Sequence, residues 1–221
     1  MPLALFDLDN TLIAGDSDYL WGRFLATQGV VDSASYEREN HRYYEAYKAG
    51  TLDIHAFLAF AFRPLAAHPL PDLLRWRAAY IQHSIRPLLL PAAQALVDEH
   101  RRAGRRPVVI TATNRFVTEP IAALYGVPDL IATEPEFAGG AFTGRVAGIP
   151  CFREGKVARL QDWLRGSGES LDGSWFYSDS HNDLPLLEAV THPVAVDPDP
   201  ALLAAAQAHG WPVISLRPPS G

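Results

Sequence analysis

The feature that most constrains this chain is a short apolar run, close to its start, that ends in carboxylates. Leu3-Ala4-Leu5-Phe6 leads directly into Asp7 and Asp9. An unbroken apolar run predicts a strand that is covered on both faces, and open α/β sheets bind ligands at the carboxyl ends of such strands. Since side chains alternate along an extended chain, the two carboxylates are expected to point the same way.

Two carboxylates at one strand end can divide the work of catalysis. One can attack as a nucleophile while the other moves protons. Both can also contribute oxygen ligands to Mg²⁺. The alternative is a strand followed by a plain turn, because Asp9 and Asn10 are common turn residues whose side chains bond to local backbone. This motif by itself leaves both interpretations open.

Composition and charge exclude several classes of protein. The 221 residues carry a net charge of −6, whereas a nucleic-acid-binding protein normally has a basic face. The single cysteine, Cys151, excludes an internal disulfide, and no apolar run approaches the roughly 18 residues that span a membrane. With no signal peptide before the first strand, we expect a cytoplasmic enzyme without a nucleic-acid or membrane partner, as a monomer or homodimer.

The pattern of apolar residues changes twice along the chain. After the first strand, one-sided apolar stripes predict only helices. The third is capped by Thr51, a proline-containing break covers residues 63–71, and the fourth runs from Pro71 toward Ile85. From Pro87 onward, helical and strand patterns alternate, which predicts a parallel, doubly wound sheet. The predicted fold is therefore an α/β core domain, residues 1–13 plus 88–221, with a helical domain, residues 14–87, inserted after the first strand.

Four polar features fall at strand ends or helix starts of this core and are expected to converge in one cleft. The features are Asp7 with Asp9; Thr111, followed by Thr113 and Asn114; Lys156, at a helix start; and Asp179 with Asp183. Each has a plain structural alternative. Thr111 can cap the next segment, Lys156 can be a solvated helix residue, and the last two aspartates can cap their turn.

In this order the motifs resemble those of haloacid-dehalogenase superfamily phosphatases, over nearly the whole chain. The signature Phe6-Asp7-Leu8-Asp9-Asn10-Thr11-Leu12 is the most specific part. The helical insert resembles the cap of the branch that contains phosphoserine phosphatase. The segments 111–114 and 178–185 resemble a bacterial subgroup, some of whose members are described as histidinol-phosphate phosphatases.

The resemblance implies a Rossmann-like core, a helical cap and a Mg²⁺-dependent phosphomonoesterase. It implies that Asp7 attacks phosphorus and that Asp9 protonates the leaving alkoxide. Thr111 would donate to a phosphoryl oxygen and Lys156 would neutralise charge. The implied metal site comprises Asp7, the backbone carbonyl of Asp9, and Asp179, with Asp183 as a direct or indirect partner of the metal.

The substrate expected from the resemblance is a small-molecule phosphate monoester, with histidinol phosphate or a phosphoserine-like compound favoured. In that branch an acidic residue entering the cap pairs with the substrate ammonium. Asp16 and Asp18 lie at roughly that place, although they can instead cap a helix. The predicted substrate-binding residues are Asp16, Ser17, Trp21, Arg42, Tyr44, Thr113 and Asn114. The alternatives are a non-catalytic phosphate- or partner-binding protein on the same fold, a phosphomutase, or a lipid-phosphate phosphatase.

Overall fold

A computed structural model describes residues 1–218 of the chain. These residues form a seven-stranded sheet in the order β4-β3-β2-β1-β5-β6-β7. All neighbouring strands are parallel except the β3–β4 pair, which is antiparallel. The predicted α/β class, with a doubly wound sheet and a helical segment after the first strand, is confirmed.

The elements follow the order that the sequence patterns indicated, with only helices between β1 and β2. The strands are β1 Leu3–Phe6, β2 Arg106–Asn114, β3 Leu130–Ala138, β4 Ala141–Ala147, β5 Trp175–Ser178, β6 His192–Val196 and β7 Val213–Ile214. The α-helices are α1 Ser17–Thr27, α2 Ser33–Lys48, α3 Ile54–Ala61, α4 Arg63–Ala67, α5 Leu70–Tyr80, α6 Pro91–Arg102, α7 Arg115–Leu124, α8 Glu154–Ser167, α9 Leu184–Leu187 and α10 Pro200–His209.

Strand β1 lies at the point where the strand order reverses. It pairs with β2 on one side and with β5 on the other, so the chain builds the sheet outward in both directions from β1. The crevice at the carboxyl end of such a strand is where open α/β sheets bind ligands. The topology therefore places Asp7, the first residue after β1, at the centre of that crevice.

Alternating residues of the central strands pack into two separate cores. Ala4 and Phe6 belong to the core that includes the inserted helices, while Leu3 and Leu5 belong to the core beneath the helices of the second half. All four are fully buried. Burial on both faces explains why β1 is apolar throughout instead of alternating with polar residues.

The helical segment differs from its prediction at two boundaries. The third helix is capped by Asp53, whose carboxylate accepts from the backbone N–H groups of His55 and Ala56, and Thr51 is therefore not its cap. A short helix, α4, also forms in the stretch expected to be a break. Its Pro64 lies in the first turn, where a helix needs no backbone N–H donor.

The helix predicted to run from Pro71 to Ile85, which corresponds to α5, is also less regular than predicted. Pro71 is in its first turn, and the α-helix ends at Tyr80, followed by a π-helical turn, Ile81–Ile85, and a 3₁₀ turn, Arg86–Leu88. The division of the chain into two domains at residues 13/14 and 87/88 remains a prediction. None of the helices in residues 1–218 is both long and apolar enough to cross a membrane.

Candidate active site

Asp7 lies at the carboxyl end of the central strand and contacts a buried lysine. Its backbone N–H donates to the Tyr177 carbonyl at 2.9 Å, which extends the β1–β5 pairing by one residue. Nζ of Lys156 lies 2.9 Å from Oδ1 of Asp7. Oδ2 of Asp7 accepts no hydrogen bond from residues 1–218, and Asp7 lines a pocket. One oxygen is thus fixed by the lysine while the other is available to a ligand.

The charges around Lys156 are unbalanced. Burial raises the pKa of Asp7 to about 7, against the opposing effect of Lys156 and with further increases from Asp183 and Asp9. Burial alone would lower the pKa of Lys156, but the carboxylates of Asp183 and Asp7 outweigh burial and raise that pKa. The lysine is therefore held as an ammonium among more carboxylates than it can neutralise.

Asp9 is held by donors on both of its oxygens. The backbone N–H of Ser17 donates to Oδ1 at 2.6 Å, and the Thr113 hydroxyl donates to Oδ2 at 2.8 Å. Burial raises the pKa of Asp9 to about 6, with a further increase from Asp16, although these hydrogen bonds oppose the rise. Ser17 and Thr113 were predicted to bind substrate. In the structure both position Asp9, and only Thr113 also lines the pocket.

The end of β2 supplies Thr111, Ala112 and Thr113 to the pocket and Asn114 to a helix cap. Thr111 is buried, lines the pocket and lies 3.5 Å from Asp9 through its hydroxyl. Asn114 was predicted to bind substrate, but its side chain accepts from the Val117 backbone N–H and caps α7. The cap turns Asn114 away from the pocket, because its oxygen is committed to the first turn of the helix.

Two aspartates follow β5 and have different partners. Asp179 accepts a hydrogen bond from the Thr11 hydroxyl at 3.2 Å, and its pKa is raised well above the usual value by burial and by the charges of Asp7 and Asp183. Asp183 lies against Lys156, with Nζ 2.7 Å from Oδ1 and 2.8 Å from Oδ2, and also accepts from the Ser178 hydroxyl. Asp183 was predicted as a metal ligand. Because both its oxygens contact Lys156, its position supports the indirect role.

The remaining oxygen atoms suit a hard divalent cation. No group of three or more His, Cys, Asp or Glu side chains in residues 1–218 is arranged as a complete metal site. The predicted donor set needs only the carboxylates of Asp7 and Asp179 and the carbonyl of Asp9, and that carbonyl accepts no hydrogen bond from the described residues. A cation bound there would offset the excess of buried negative charge, and Mg²⁺ completes such sites with water and phosphate oxygens.

A pocket opens above Asp7 and Asp9, between the sheet and the inserted helices. Its wall is aromatic and acidic, and none of the described residues lining it is Arg, Lys or His. The lining residues are Asp7, Asp9, Asp16, Asp18, Tyr19, Asn40, Tyr43, Tyr44, Tyr47, Leu52, Ile54, Phe57, Thr111, Ala112, Thr113 and Phe152. Such a pocket favours a ligand with a cationic or planar group.

Two carboxylates in this pocket lie on the first turn of α1. Asp16 is the helix cap, accepting from the Tyr19 N–H at 2.8 Å, so it combines the two roles that the sequence left as alternatives: it caps the helix and lines the pocket. Asp18 accepts no hydrogen bond from residues 1–218. Its pKa is raised well above the usual value by burial and by the charges of Asp16 and Asp9. A cation placed between them would lower both pKa values.

Besides Ser17 and Asn114, two further predicted substrate-binding residues do not line the pocket. Trp21 is buried in the core, where its ring packs against Phe24 and Tyr80. Arg42 is 67% exposed and lies over the Tyr43 ring. Neighbouring helix positions point about 100° apart, so Tyr43 faces the pocket while Arg42 faces solvent. Tyr44, the remaining predicted residue, does line the pocket, stacked on Tyr19 with ring centroids 4.6 Å apart.

Several pocket residues were not predicted. Asn40, Phe57 and Phe152 come from α2, α3 and the loop before α8, and only the tertiary fold brings them together. The one sequence signal was Asn40, a polar residue on a helix face otherwise occupied by tyrosines. Its amide donates to the Tyr19 carbonyl at 2.9 Å, which joins α2 to α1 at the pocket wall.

The chain is similar to several known proteins. The family model for haloacid dehalogenase-like hydrolases matches residues 4–188. A histidinol-phosphatase from Neisseria meningitidis serogroup C (strain 8013) is 42% identical over 219 residues, which span 97% of this chain and 99% of that protein.

Solved structures show the same fold. A protein of unknown function from Bordetella pertussis Tohama I is 48% identical and superposes with a TM-score of 0.93, over 98% of this chain and 99% of that one. A phosphoserine phosphatase, determined as an analogue of its phospho-aspartyl intermediate, superposes with a TM-score of 0.71 over 98% of this chain and 93% of its own. At 18% identity, that second likeness shows the fold alone.

Proposed function

Because the chain belongs to the haloacid dehalogenase-like hydrolase family and is a phosphatase, we propose that it hydrolyses a small metabolite phosphate monoester through an aspartyl-phosphate at Asp7, with histidinol phosphate as the favoured substrate. The observation that carries this choice is the pocket above Asp7 and Asp9, which has acidic and aromatic walls and no basic side chain among the described residues.

In the first step, Asp7 attacks phosphorus. Its free oxygen, Oδ2, forms the bond to phosphorus while the bond from phosphorus to the ester oxygen breaks. Lys156 holds Oδ1 at 2.9 Å and so fixes the direction of attack. As an ammonium, it also offsets negative charge at the reaction centre, and phosphoryl transfer depends mainly on such positioning and charge stabilisation.

Asp9 is the proposed acid and base. It gives a proton to the leaving alkoxide and then takes one from the water that attacks the aspartyl-phosphate, so a single group serves both steps. Its pKa of about 6 allows it to carry or release a proton near neutral pH. The hydrogen bonds from Ser17 and Thr113 keep its carboxyl group in one orientation throughout.

The phosphoryl oxygens need further stabilisation. Thr111, buried beside Asp9, is placed to donate a hydrogen bond to one of them. Mg²⁺ held by Asp7, Asp179 and the Asp9 carbonyl would supply positive charge for the phosphoryl group. Thr11 donates to Asp179 and thereby restrains that carboxylate.

The pocket lining supports histidinol phosphate over phosphoserine. Histidinol phosphate has an ammonium and an imidazole but no carboxylate, whereas phosphoserine has an ammonium and a carboxylate. Asp16 and Asp18 suit cationic groups, and the rings of Tyr44 and Phe57 suit a planar one. A substrate carboxylate would meet aspartates in a pocket whose described lining residues include no basic side chain, which costs free energy.

The test is phosphate release from histidinol phosphate, phosphoserine and an aryl phosphate, each with Mg²⁺ and with excess chelator. We expect kcat/KM to be highest for histidinol phosphate and release to stop with chelator. Asp7→Asn should abolish release while the far-ultraviolet circular dichroism spectrum is unchanged. A preference for phosphoserine would show that the substrate is wrong, and activity retained in Asp7→Asn would show that the nucleophile is wrong.

A further inference from the structure

The inserted helices and the α/β core meet at a small set of polar contacts beside the pocket. Arg153 and Asn182 belong to the core, on the loops before α8 and after β5. Both donate to backbone carbonyls at the carboxyl end of α2, which belongs to the inserted segment. Carbonyls at a helix end lack partners within the helix, and the partial negative charge there favours a guanidinium.

Arg153 spans the junction. Its Nη2 donates to the Gly50 carbonyl at 2.6 Å, and its Nε donates to Oδ1 of Asn182 at 3.0 Å. Its guanidinium also lies 5.1 Å from the centroid of the Phe152 ring, which lines the pocket. The planar fork of arginine can make these two contacts at once, whereas lysine presents a single point charge.

Asn182 forms hydrogen bonds both with Arg153 and with α2. Its side-chain amide donates to the Tyr47 carbonyl at 3.2 Å while its oxygen accepts from Arg153. Asn182 is 2% exposed, so the exchange of these bonds for water requires the two parts of the chain to separate. Tyr47 itself lines the pocket, so the same stretch of α2 takes part in both the junction and the ligand site.

Two residues at the junction between the inserted helices and the core have unusual backbone conformations. Gly50 has φ +69°, and a Cβ atom there would lie 2.7 Å from Nε2 of His181. Arg153 has φ +51°, in a region that residues other than glycine rarely adopt. Such strain persists where the surrounding structure enforces it, and it concentrates at functional positions.

The junction is connected to the reaction centre through the same two loops. The Arg153 carbonyl accepts from the Lys156 backbone N–H at 2.9 Å, and Asn182 directly precedes Asp183. Lys156 and Asp183 form the ion pair that orients Asp7. The loops that contact α2 are therefore the same loops that position the buried lysine.

We propose that Arg153 and Asn182 form a latch that holds the inserted helices closed over the pocket and that both act as positioning residues for phosphate-ester hydrolysis. The proposal rests on the reaction taking place at Asp7, but not on which ester is the substrate. A closed pocket excludes water from the reaction and brings the aromatic wall against the ligand. Loss of the latch should therefore weaken substrate binding more than it slows the chemical step.

The experiment compares Arg153→Met with wild type, using an aryl phosphate as the substrate and hydrogen exchange as a readout independent of activity. We expect KM to rise by about tenfold, the effect of losing one hydrogen bond to a charged group, with kcat changed by less than about threefold. The backbone amides of Ala49, Gly50 and Thr51, which close the carboxyl end of α2, should exchange about tenfold faster.

Two further variants separate the latch from general stability. Arg159→Met makes the same chemical change on α8, where Arg159 bonds to Glu134 and the Ile149 carbonyl within the core, and should leave KM and the three amides unchanged. Arg153→Gly removes the guanidinium but relieves the positive φ, so it should match Arg153→Met in KM without further loss in urea unfolding.

The outcomes separate the latch from the proposed function. Unchanged KM and exchange in Arg153→Met, or an equal rise in KM in Arg159→Met, would overturn the latch. Absence of turnover in wild type would count against the proposed function, while the exchange rates would still decide whether Arg153 holds α2 to the core.

Discussion

At the scale of single residues, the two carboxylates of the first motif have unlike surroundings. Asp7 contacts one donor, Lys156, and keeps an oxygen that accepts no hydrogen bond from the described residues. Asp9 accepts from Ser17 and Thr113 on opposite oxygens. A nucleophile needs a free lone pair, whereas a proton carrier needs a fixed orientation, so the surroundings favour different roles for two chemically identical side chains.

The role of Asp9 predicts a dependence on the leaving group. An alkoxide needs protonation as it departs, while an aryl oxide with a low pKa leaves without it. In Asp9→Asn we expect kcat/KM to fall by about 10²–10⁴-fold for an alkyl phosphate and by much less for an aryl phosphate. The measurement is kcat/KM for both esters, and an equal loss for both would exclude Asp9 as the acid.

The role of Asp18 predicts a change in substrate preference. Asp18 has no hydrogen-bond donor among residues 1–218 and lines the pocket, so its carboxyl group is available to a cationic substrate, which would favour its charged form. Asp18→Asn should lower kcat/KM for histidinol phosphate by about tenfold or more, the effect of a lost bond to a charged group, and leave an aryl phosphate nearly unaffected.

Asp16→Asn is the matched comparison for that experiment. Asn caps helices as well as Asp does, so α1 should keep its start while the pocket loses a different charge. If Asp18→Asn reduced both substrates equally, Asp18 would have a structural role and not one in specificity.

At the scale of elements, the sequence predicted more of the core than of the insert. The strand ends carrying Asp7, Thr111 and Asp179 follow from apolar runs that stop at polar residues, a local signal. The inserted helices were also predictable as helices, but not which faces meet. Tyr43 and Arg42 are adjacent in sequence, yet one lines the pocket and the other is exposed, because the packing of α2 against α1 and α3 decides orientation.

Long-range hydrogen bonds were the least predictable part. Ser17 and Thr113 are 8 and 104 positions from Asp9, and Arg153 is 103 from Gly50. No spacing rule connects such residues, since the sheet order and the path of the inserted segment determine their distance. Chemistry-bearing motifs at strand ends can therefore be predicted, while the residues that hold them in place require the structure.

Helix α6 contains a buried histidine that links it to the sheet. His100 is 2% exposed, with Nε2 2.7 Å from the Tyr177 hydroxyl and Nδ1 3.3 Å from Nη1 of Arg105. Arginine only donates, so Nδ1 accepts and the ring is neutral. Burial, together with the Arg105 charge, lowers the pKa of His100 to about 4.

This lowered pKa predicts a loss of stability in mild acid. Above about pH 6.5 His100 is neutral in both states. As the pH falls from there toward 4, the unfolded chain binds a proton that the folded chain does not, so unfolding becomes more favourable. Between pH 7 and pH 5 the histidine should cost about 2 kcal/mol.

Urea unfolding of wild type and His100→Gln at both pH values measures this effect. Gln keeps a donor and an acceptor but does not titrate, so its loss of stability should be smaller by about that amount. His209→Gln, on α10, serves as the control and should follow wild type. Equal losses in wild type and His100→Gln would contradict the assignment.

At the scale of the whole molecule, the site is built where several carboxylates lie close together. The chain has a net charge of −6, and the residues between the sheet and the inserted helices include Asp7, Asp9, Asp16 and Asp18. Lys156 is the cation that contacts Asp7 among the described residues. Such a cluster lowers the free energy of unfolding. A divalent cation that binds only the folded protein would raise that free energy again.

The proposed cation site predicts that one substitution affects stability differently with and without Mg²⁺. Asp179 is half-buried beside other carboxylates, with Thr11 as its side-chain donor. In chelator, Asp179→Asn should be at least as stable as wild type, because a buried charge is removed. With Mg²⁺ at about 100 times its Kd, wild type should gain about 2.7 kcal/mol and the variant little. Asp162→Asn, at an exposed position on α8, should behave as wild type in both conditions.

The measurement is urea unfolding of the three proteins with Mg²⁺ and with chelator. An equal gain in Asp179→Asn would mean that the cation is held without Asp179, whereas destabilisation in chelator alone would mean that this carboxylate supports the fold and not the metal.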